Sequence, residues 1–331
     1  KEFQERVKLI YIDPPYNTES DRSTGKFLYK DGFTHSTWIS LQESRLSLSR
    51  SLLREDGAFF ASISEKENPR LWLLLNRVFD ADNYIEDIIW RKKSGGGQQD
   101  DFLVKEHEYI LFFCKDKTKF RIINKEIQKS QEGYPLFDKK KNKNFRKVKL
   151  AKWGTAAHKE DRPTMYDYPD LIAPHGKQVF PLAPDGRPGR WRYGKNTVSD
   201  MIKNDEIYWE KVEGEWVPYE KEYQPSDDES KIIKERSIFY DIVENTEGSN
   251  ELTSLFGMKD LFDNPKPSDL IYYITQMSSK DSYLILDYFA GSGTTGHAVL
   301  KLNKDNGNRK FILVEMGQYF ETVLKPRIEK V

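Results

Sequence analysis

The chain of 331 residues has a single cysteine, Cys114, so it can form no internal disulfide, and it has no Cys-x-x-Cys pair. Its five histidines, at 35, 107, 158, 175 and 297, are scattered, and no metal site is expected. Long hydrophobic runs are also missing; stretches such as Tyr109–Cys114 are far too short to span a bilayer. No Gly-Lys is followed by Ser or Thr, which excludes a nucleoside-triphosphate loop of that type. Net charge is absent as well, 53 Lys+Arg against 53 Asp+Glu, so a polyanionic partner would have to be met by local clustering. Lys1–Arg6 has no signal-peptide pattern and no initiator Met, and it enters a strand almost at once. The expectation is a piece of a longer cytoplasmic chain with no membrane association.

What is present begins with that strand. Val7–Ile12 is almost wholly apolar, and it runs into Asp13-Pro14-Pro15-Tyr16. Neither proline can donate to a sheet ladder, so the chain must leave the sheet at Asp13. A carboxylate, a stiff corner and an aromatic ring then stand at the carboxyl end of a strand, where open α/β sheets bind ligands. Read alone, Asp-Pro is equally a surface turn. Beyond it, Asn17–Gly32 reads as a mobile loop, Thr37–Arg54 as a helix with a leucine stripe (Leu41, Leu46, Leu48, Leu52, Leu53), and Ala58–Ser64 as a strand. A helix over Asn68–Val78 and strands over Tyr84–Trp90 and Glu108–Cys114 follow, with a glycine loop at Ser94–Gln99. This alternation predicts an α/β fold with a Rossmann-like, mixed but mainly parallel sheet.

Near residue 120 the pattern breaks. Lys139, Lys140, Lys141, Lys143, Arg146, Lys147, Lys149 and Lys152 form a basic run without an acid, and Arg187, Arg190 and Arg192 surround Trp191 further on. Residues 121–249 read as an inserted β-rich module, with residues 1–120 and 250–331 forming one discontinuous α/β domain. In a neutral chain such clusters suit phosphate-backbone contact, although a basic run is more often a solvated surface.

The α/β pattern resumes with a helix over Asp269–Ser278, for which Ser268 is the expected N-cap. A strand ending at Asp287 then leads into Phe289-Ala290-Gly291-Ser292-Gly293-Thr294-Thr295, a helix over His297–Leu302, a strand over Phe311–Val314, Glu315 and a closing helix, Gln318–Lys330. Glycines allow the backbone to approach a bound molecule, and the acidic residue after the next strand is spaced to accept ribose hydroxyls. This order suits an adenosine-containing ligand. A nicotinamide-dependent dehydrogenase would use the same corner but would leave Asp-Pro-Pro-Tyr unexplained.

Taken together, Asp-Pro-Pro-Tyr and Phe-Ala-Gly-Ser-Gly-Thr-Thr resemble the DNA amino-methyltransferases. With the catalytic element first and the glycine element last, the arrangement resembles the permuted beta-type, and most of all the modification subunit of type III restriction–modification systems. The resemblance implies an S-adenosylmethionine-dependent methyltransferase fold and site-specific methylation of adenine N6 in double-stranded DNA, involving base flipping. N4 of cytosine, or an inactive DNA-binding subunit of the same fold, is the alternative. It further implies catalysis by Asp13, Pro14, Pro15 and Tyr16, with cofactor contacts from Lys266, Pro267, Asp287, Phe289–Thr295 and Glu315. The inserted module would recognise the target through Lys139, Lys140, Lys141, Lys143, Arg146, Lys147, Arg187, Arg190 and Arg192. A homodimer and a separate ATP-dependent restriction subunit would be the protein partners.

Overall fold

The computed structural model describes residues 2–17, 33–95, 103–152, 171–181, 189–278, 280, 282–304 and 307–331. Of the loops expected at Asn17–Gly32 and Ser94–Gln99, all but the first residues lie outside this set, as does Arg187. The chain divides into two compact units, residues 1–125 with 233–331, and residues 126–232.

The first unit opens with β1 (Val7–Ile12), α1 (His35–Leu52), β2 (Leu53–Ile63), α2 (Asn68–Phe79), β3 (Tyr84–Arg91) and β4 (His107–Cys114). The insertion contributes β5 (Lys125–Gln128), β6 (Leu136–Asp138), β7 (Lys143–Lys149), β8 (Ala151–Lys152), β9 (Arg190–Trp191), α3 (Lys195–Lys203), β10 (Ile207–Val212), β11 (Glu215–Tyr223) and β12 (Ser230–Ile233). The first unit resumes with β13 (Ile238–Phe239), α4 (Thr246–Phe256), α5 (Ser268–Ser278), β14 (Leu284–Asp287), α6 (Thr294–Asn303) and β15 (Lys310–Leu313). A π-helical turn, Phe320–Leu324, runs into α7 (Lys325–Lys330), where one continuous helix was expected.

Seven strands form the main sheet in the order β13-β3-β4-β2-β1-β14-β15. The β1–β14, β1–β2, β14–β15 and β13–β3 pairs are parallel, and only β4 runs against its neighbours. All six residues of β1 are buried because helices cover both sheet faces. Leu9 and Tyr11 share a core with Leu270, Ile271 and Ile274 of α5 and Val299 of α6. Val7, Ile10 and Ile12 share another with Trp38 and Leu46 of α1 and Leu71 and Leu75 of α2. The chain leaves β1 towards β2 and leaves β14 towards β15, in opposite directions. Between two such strands a crevice opens at the carboxyl edge of the sheet.

Two local expectations are corrected. The buried stripe of α1 is Trp38, Gln42, Leu46 and Ser49, at helical spacing, while Leu48 is 59% exposed. Ser268 is the first residue of α5 rather than its cap; its N–H and hydroxyl both donate to the Glu251 carboxylate of α4. The second unit is built on an antiparallel sheet, β10-β11-β7-β6. Leu150, Leu171, Trp191, Val198 and Met201 form its small core.

Candidate active site

The prolines end β1 as expected, and neighbouring elements fix the corner. The indole N–H of Trp38 donates to the Pro15 carbonyl at 2.8 Å. Asn17 sits at φ +58°, a left-handed conformation that asparagine tolerates. Its Nδ2 donates to Glu67 Oε1 at 2.7 Å and its Oδ1 accepts the Phe33 N–H at 2.7 Å, so Asn17 links α2 to the start of α1. His35 Nδ1 meets the same oxygen of the fully buried Glu67 at 2.6 Å.

Beside the corner lies a cluster of four charged groups. Lys266 Nζ is 3.1 Å from Asp13 Oδ2 and 3.3 Å from Glu108 Oε2. It also sits 4.9 Å from the centre of the Tyr16 ring, a cation–π contact. The Tyr16 hydroxyl donates to Glu108 Oε2 at 2.9 Å, and Lys92 Nζ donates to Glu108 Oε1 at 2.9 Å. Two cations thus face two carboxylates in a largely buried place, where unpaired charge would be costly. Asp13 Oδ1, shielded from solvent, has no hydrogen-bond partner among the described residues.

The balance of charges sets the protonation states. Burial pushes the Asp13 carboxyl up, and Glu108 adds to this, while Lys266 opposes both. Burial works on Glu108 in the same sense, but Lys266 and Lys92 outweigh it and hold that carboxyl below its ordinary range. For Lys266, burial favours loss of the proton, but the two carboxylates prevail and its pKa rises.

The glycine loop leaves the adjacent strand, β14. Gly291 and Gly293 have φ of +50° and +84°, and a Cβ on Gly293 would lie 3.1 Å from Leu324. Asp287 is spent inside the loop, accepting the Thr295 hydroxyl at 2.6 Å and the Phe289 N–H at 3.0 Å. Burial pushes its carboxyl up to about 7. Glu315, past the end of β15, accepts the N–H groups of Gly291, Met316 and Gly317 at 2.9, 2.8 and 2.9 Å. The loop and the strand end beside it are therefore shaped by this one carboxylate. The Thr294 hydroxyl donates to the Lys266 carbonyl at 2.9 Å. One residue therefore touches both motifs, through its ammonium on the Asp13 side and its carbonyl on the glycine side. Pro267, the next residue, is buried ahead of α5.

Several of these groups give no signal in a local sequence pattern. Glu108 and Lys92 lie on or beside β4 and β3, and only a charge opening an otherwise apolar strand, His107-Glu108-Tyr109, hints at the first. Arg327 of α7 is fully buried. It donates to the Ser292 hydroxyl at 2.9 Å, the Thr294 hydroxyl at 3.0 Å and Glu251 Oε2 at 2.8 Å. Phe262 packs 3.4 Å from where a Gly291 Cβ would stand.

The basic residues of the insertion are placed differently from a free cationic stripe. Lys140 and Lys141 pair with Asp205 and Glu206, each at 2.9 Å. Arg146 grips Glu222 with two bonds, 3.0 and 2.6 Å, and Lys147 meets Glu210 at 2.6 Å. Lys139 and Lys143 are exposed. Arg190 is half-buried beside the buried Trp191, and Arg192 is exposed with its Nε–H on the Lys149 carbonyl at 3.2 Å.

Among the described residues no group of three or more His, Cys, Asp or Glu side chains is arranged to hold a metal ion. No helix among them is long and apolar enough to cross a membrane.

The EcoPI Mod subunit of a type III restriction-modification enzyme from Escherichia phage P1 is 30% identical over 366 residues, covering 96% of this chain and 55% of its own length. The StyLTI Mod subunit of Salmonella typhimurium is 29% identical, with coverages of 96% and 50%. The type II methyltransferase M.KpnI of Klebsiella pneumoniae is 32% identical, with coverages of 93% and 75%. The chain thus spans about half the length of the two Mod subunits. A DNA methylase family model matches residues 7–325. Because that match runs from β1 to the first residue of α7, enclosing both edge motifs and the insertion between them, the chain belongs to the DNA methylase family of N6 and N4 methyltransferases.

Proposed function

We propose that this chain is the catalytic part of a site-specific DNA methyltransferase, acting on the exocyclic N6 of adenine in a restriction–modification system. The observation that carries the reading is the double contact of Lys266, with Asp13 Oδ2 on one side and Thr294 Oγ1 on the other. It draws the proline corner and the glycine loop into one crevice.

S-adenosylmethionine fits the second half of that crevice. Positive-φ glycines let the loop turn tightly where it leaves β14, and Glu315 is held fast at the end of the next strand. Lys266, Pro267, Phe289–Thr295 and Glu315 would hold it, and once bound it supplies an activated methyl group. The chain's own task is then to prepare the amine. The lone pair of the adenine amino group is delocalised into the ring, so its hydrogens need firm acceptors. The orphan Oδ1 of Asp13 is one, and the Pro14 carbonyl, on a corner whose φ is fixed, is the other. Tyr16 offers a stacking face worth roughly 1–3 kcal/mol. That offsets much of the unstacking needed to bring the base out of the duplex, on the order of a few kcal/mol.

The 126–232 unit would choose the sequence, with Lys139, Lys143, Arg190 and Arg192 as its phosphate or base contacts. The names of the Mod relatives, subunits of restriction-modification enzymes, support a further step, that the full protein works beside a separate restriction subunit; a homodimer is part of the same proposal. Single-molecule sequencing of DNA from cells expressing the full-length protein tests the reading, since it reports the modified atom with its context. Modified adenine in one motif is expected, and modified N4 of cytosine would move the target. Loss of the mark on Asp13→Ala is expected too; a mark that persisted would refute the mechanism.

A further inference from the structure

We propose that Glu108 is a positioning residue for methyl transfer, setting the Tyr16 ring on which the target base stacks. The inference rests on the methyl-transfer reading above and deepens it.

The topology explains how a residue so far along the chain reaches the corner. β4 runs against its neighbours, so its first residues lie at the edge where β1 and β2 end. The last pairing of β2 with β4 is Ile63 with Tyr109. Glu108 is the next residue outward, and its side chain bonds to Tyr16 beyond the end of the intervening strand. A parallel strand in this place would bring its carboxyl-terminal residue there instead.

The local chemistry is more demanding than packing requires. Glu108 is 7% exposed and takes three donors, the Tyr16 hydroxyl, Lys266 Nζ and Lys92 Nζ. A buried ion cluster is a poor device for stability, since apolar side chains of similar volume do as well. It is a good device for geometry, because charge-assisted bonds are short and directional. The Tyr16 ring is half-buried against the core that holds Ile10, Ile12 and Trp38 and lies under the Lys266 ammonium, which leaves its hydroxyl end to be anchored. The bond to Glu108 fixes it, and Lys92 supplies a second cation, so that Glu108 does not depend on the Lys266 that Asp13 also uses.

Gln at position 108 cannot replace the carboxylate. One of its two ends becomes a donor, so it cannot serve both Lys92 and the Tyr16–Lys266 side. The test uses the full-length protein, tritiated S-adenosylmethionine and unmethylated duplex, with wild type, Glu108→Gln, Tyr16→Phe and the double variant. For Glu108→Gln we expect kcat to fall roughly 10- to 100-fold, the span expected for one hydrogen bond to a charged group. The KM for the cofactor should change much less than kcat, because Glu108 reaches the cofactor side only through Lys266 Nζ, whose pairing with Asp13 remains. Tyr16→Phe should show the same split, and Glu108→Gln added to it should cost much less than it costs alone.

A Glu108→Gln enzyme at the wild-type rate would overturn the proposal and leave the methyl-transfer reading standing. Full additivity of the two substitutions would overturn it as well, since Glu108 would then act elsewhere. If Glu108→Gln does not fold, Tyr16→Phe, which changes no charge, decides alone, and an unchanged kcat would refute the role. A wild-type protein that transfers no methyl group would sink both readings together.

Discussion

Replacing Lys266 by Met removes the cation that Asp13 and Glu108 share while keeping much of its length. Two carboxylates would then face Lys92 alone, and Lys92 touches only Glu108. Asp13 has two ways out, and both are costly. It can stay ionised without its partner, which in a buried pair costs about 3–5 kcal/mol. It can take up a proton, and from an ordinary carboxylate pKa that costs roughly 4 kcal/mol at pH 7 and roughly 1.5 kcal/mol at pH 5. The second route caps the first, so the stability lost on Lys266→Met should be about 4 kcal/mol at neutral pH and should shrink as pH falls. The assay is thermal unfolding from pH 5 to pH 8, with methyl transfer measured over the same range. Activity should fall steeply at pH 7 and recover as pH rises, because a carboxyl already raised by burial is pushed further up. Glu108→Gln should move the acidic limb the other way, as it removes a negative charge that raises Asp13. A Lys266→Met enzyme whose acidic limb coincides with that of the wild type would refute the coupling.

Arg327→Met should lower stability by about 3–5 kcal/mol, and it should weaken cofactor binding more than kcat, because Ser292 and Thr294 lose their shared donor; equilibrium binding checks this. Gly293→Ala puts a side chain at φ +84° and 3.1 Å from Leu324, so a loss of at least roughly 1–2 kcal/mol is expected in thermal unfolding. Burial lifts the Asp287 carboxyl to about 7, well above the 3.8 of a free aspartate. Its contribution is therefore fully present below the unfolded value and is lost as pH rises towards and through 7. Asp287→Asn should flatten that part of the stability–pH curve, and an unchanged slope between pH 4 and pH 7 would count against it. Joint substitution of Arg190 and Arg192 by Ala should alter the DNA footprint while leaving cofactor binding unchanged, and an unaltered footprint would remove both from recognition.

The two edge motifs were legible because their chemistry is local. Two prolines must end a strand, and Gly291 and Gly293 open a loop whatever surrounds them. The partners of these motifs were not, since they arrive from distant elements. Glu108 meets Tyr16 92 positions away along the chain, and Arg327 meets Ser292 across 35. In α1 the leucines misled because the buried stripe is set by the helix period: Trp38, Gln42, Leu46 and Ser49 face inward and Leu48 does not. The acids that pair with the basic run were hidden for a related reason. Two of these acids, Glu210 in β10 and Glu222 in β11, are 63 and 76 residues further on, and they come within reach of Lys147 and Arg146 only when the antiparallel sheet forms.

The strands at which the insertion begins and ends, β5 and β12, pair with each other. The first unit thus sends out its chain and takes it back at neighbouring points, as if across a two-pronged socket. Closing a loop whose ends already touch depends only weakly on what the loop contains. If the 126–232 unit chooses the target, as proposed, a cassette of different length could replace it without retuning the sheet, and a new DNA target would be acquired while the crevice between the proline corner and the glycine loop stays as it is.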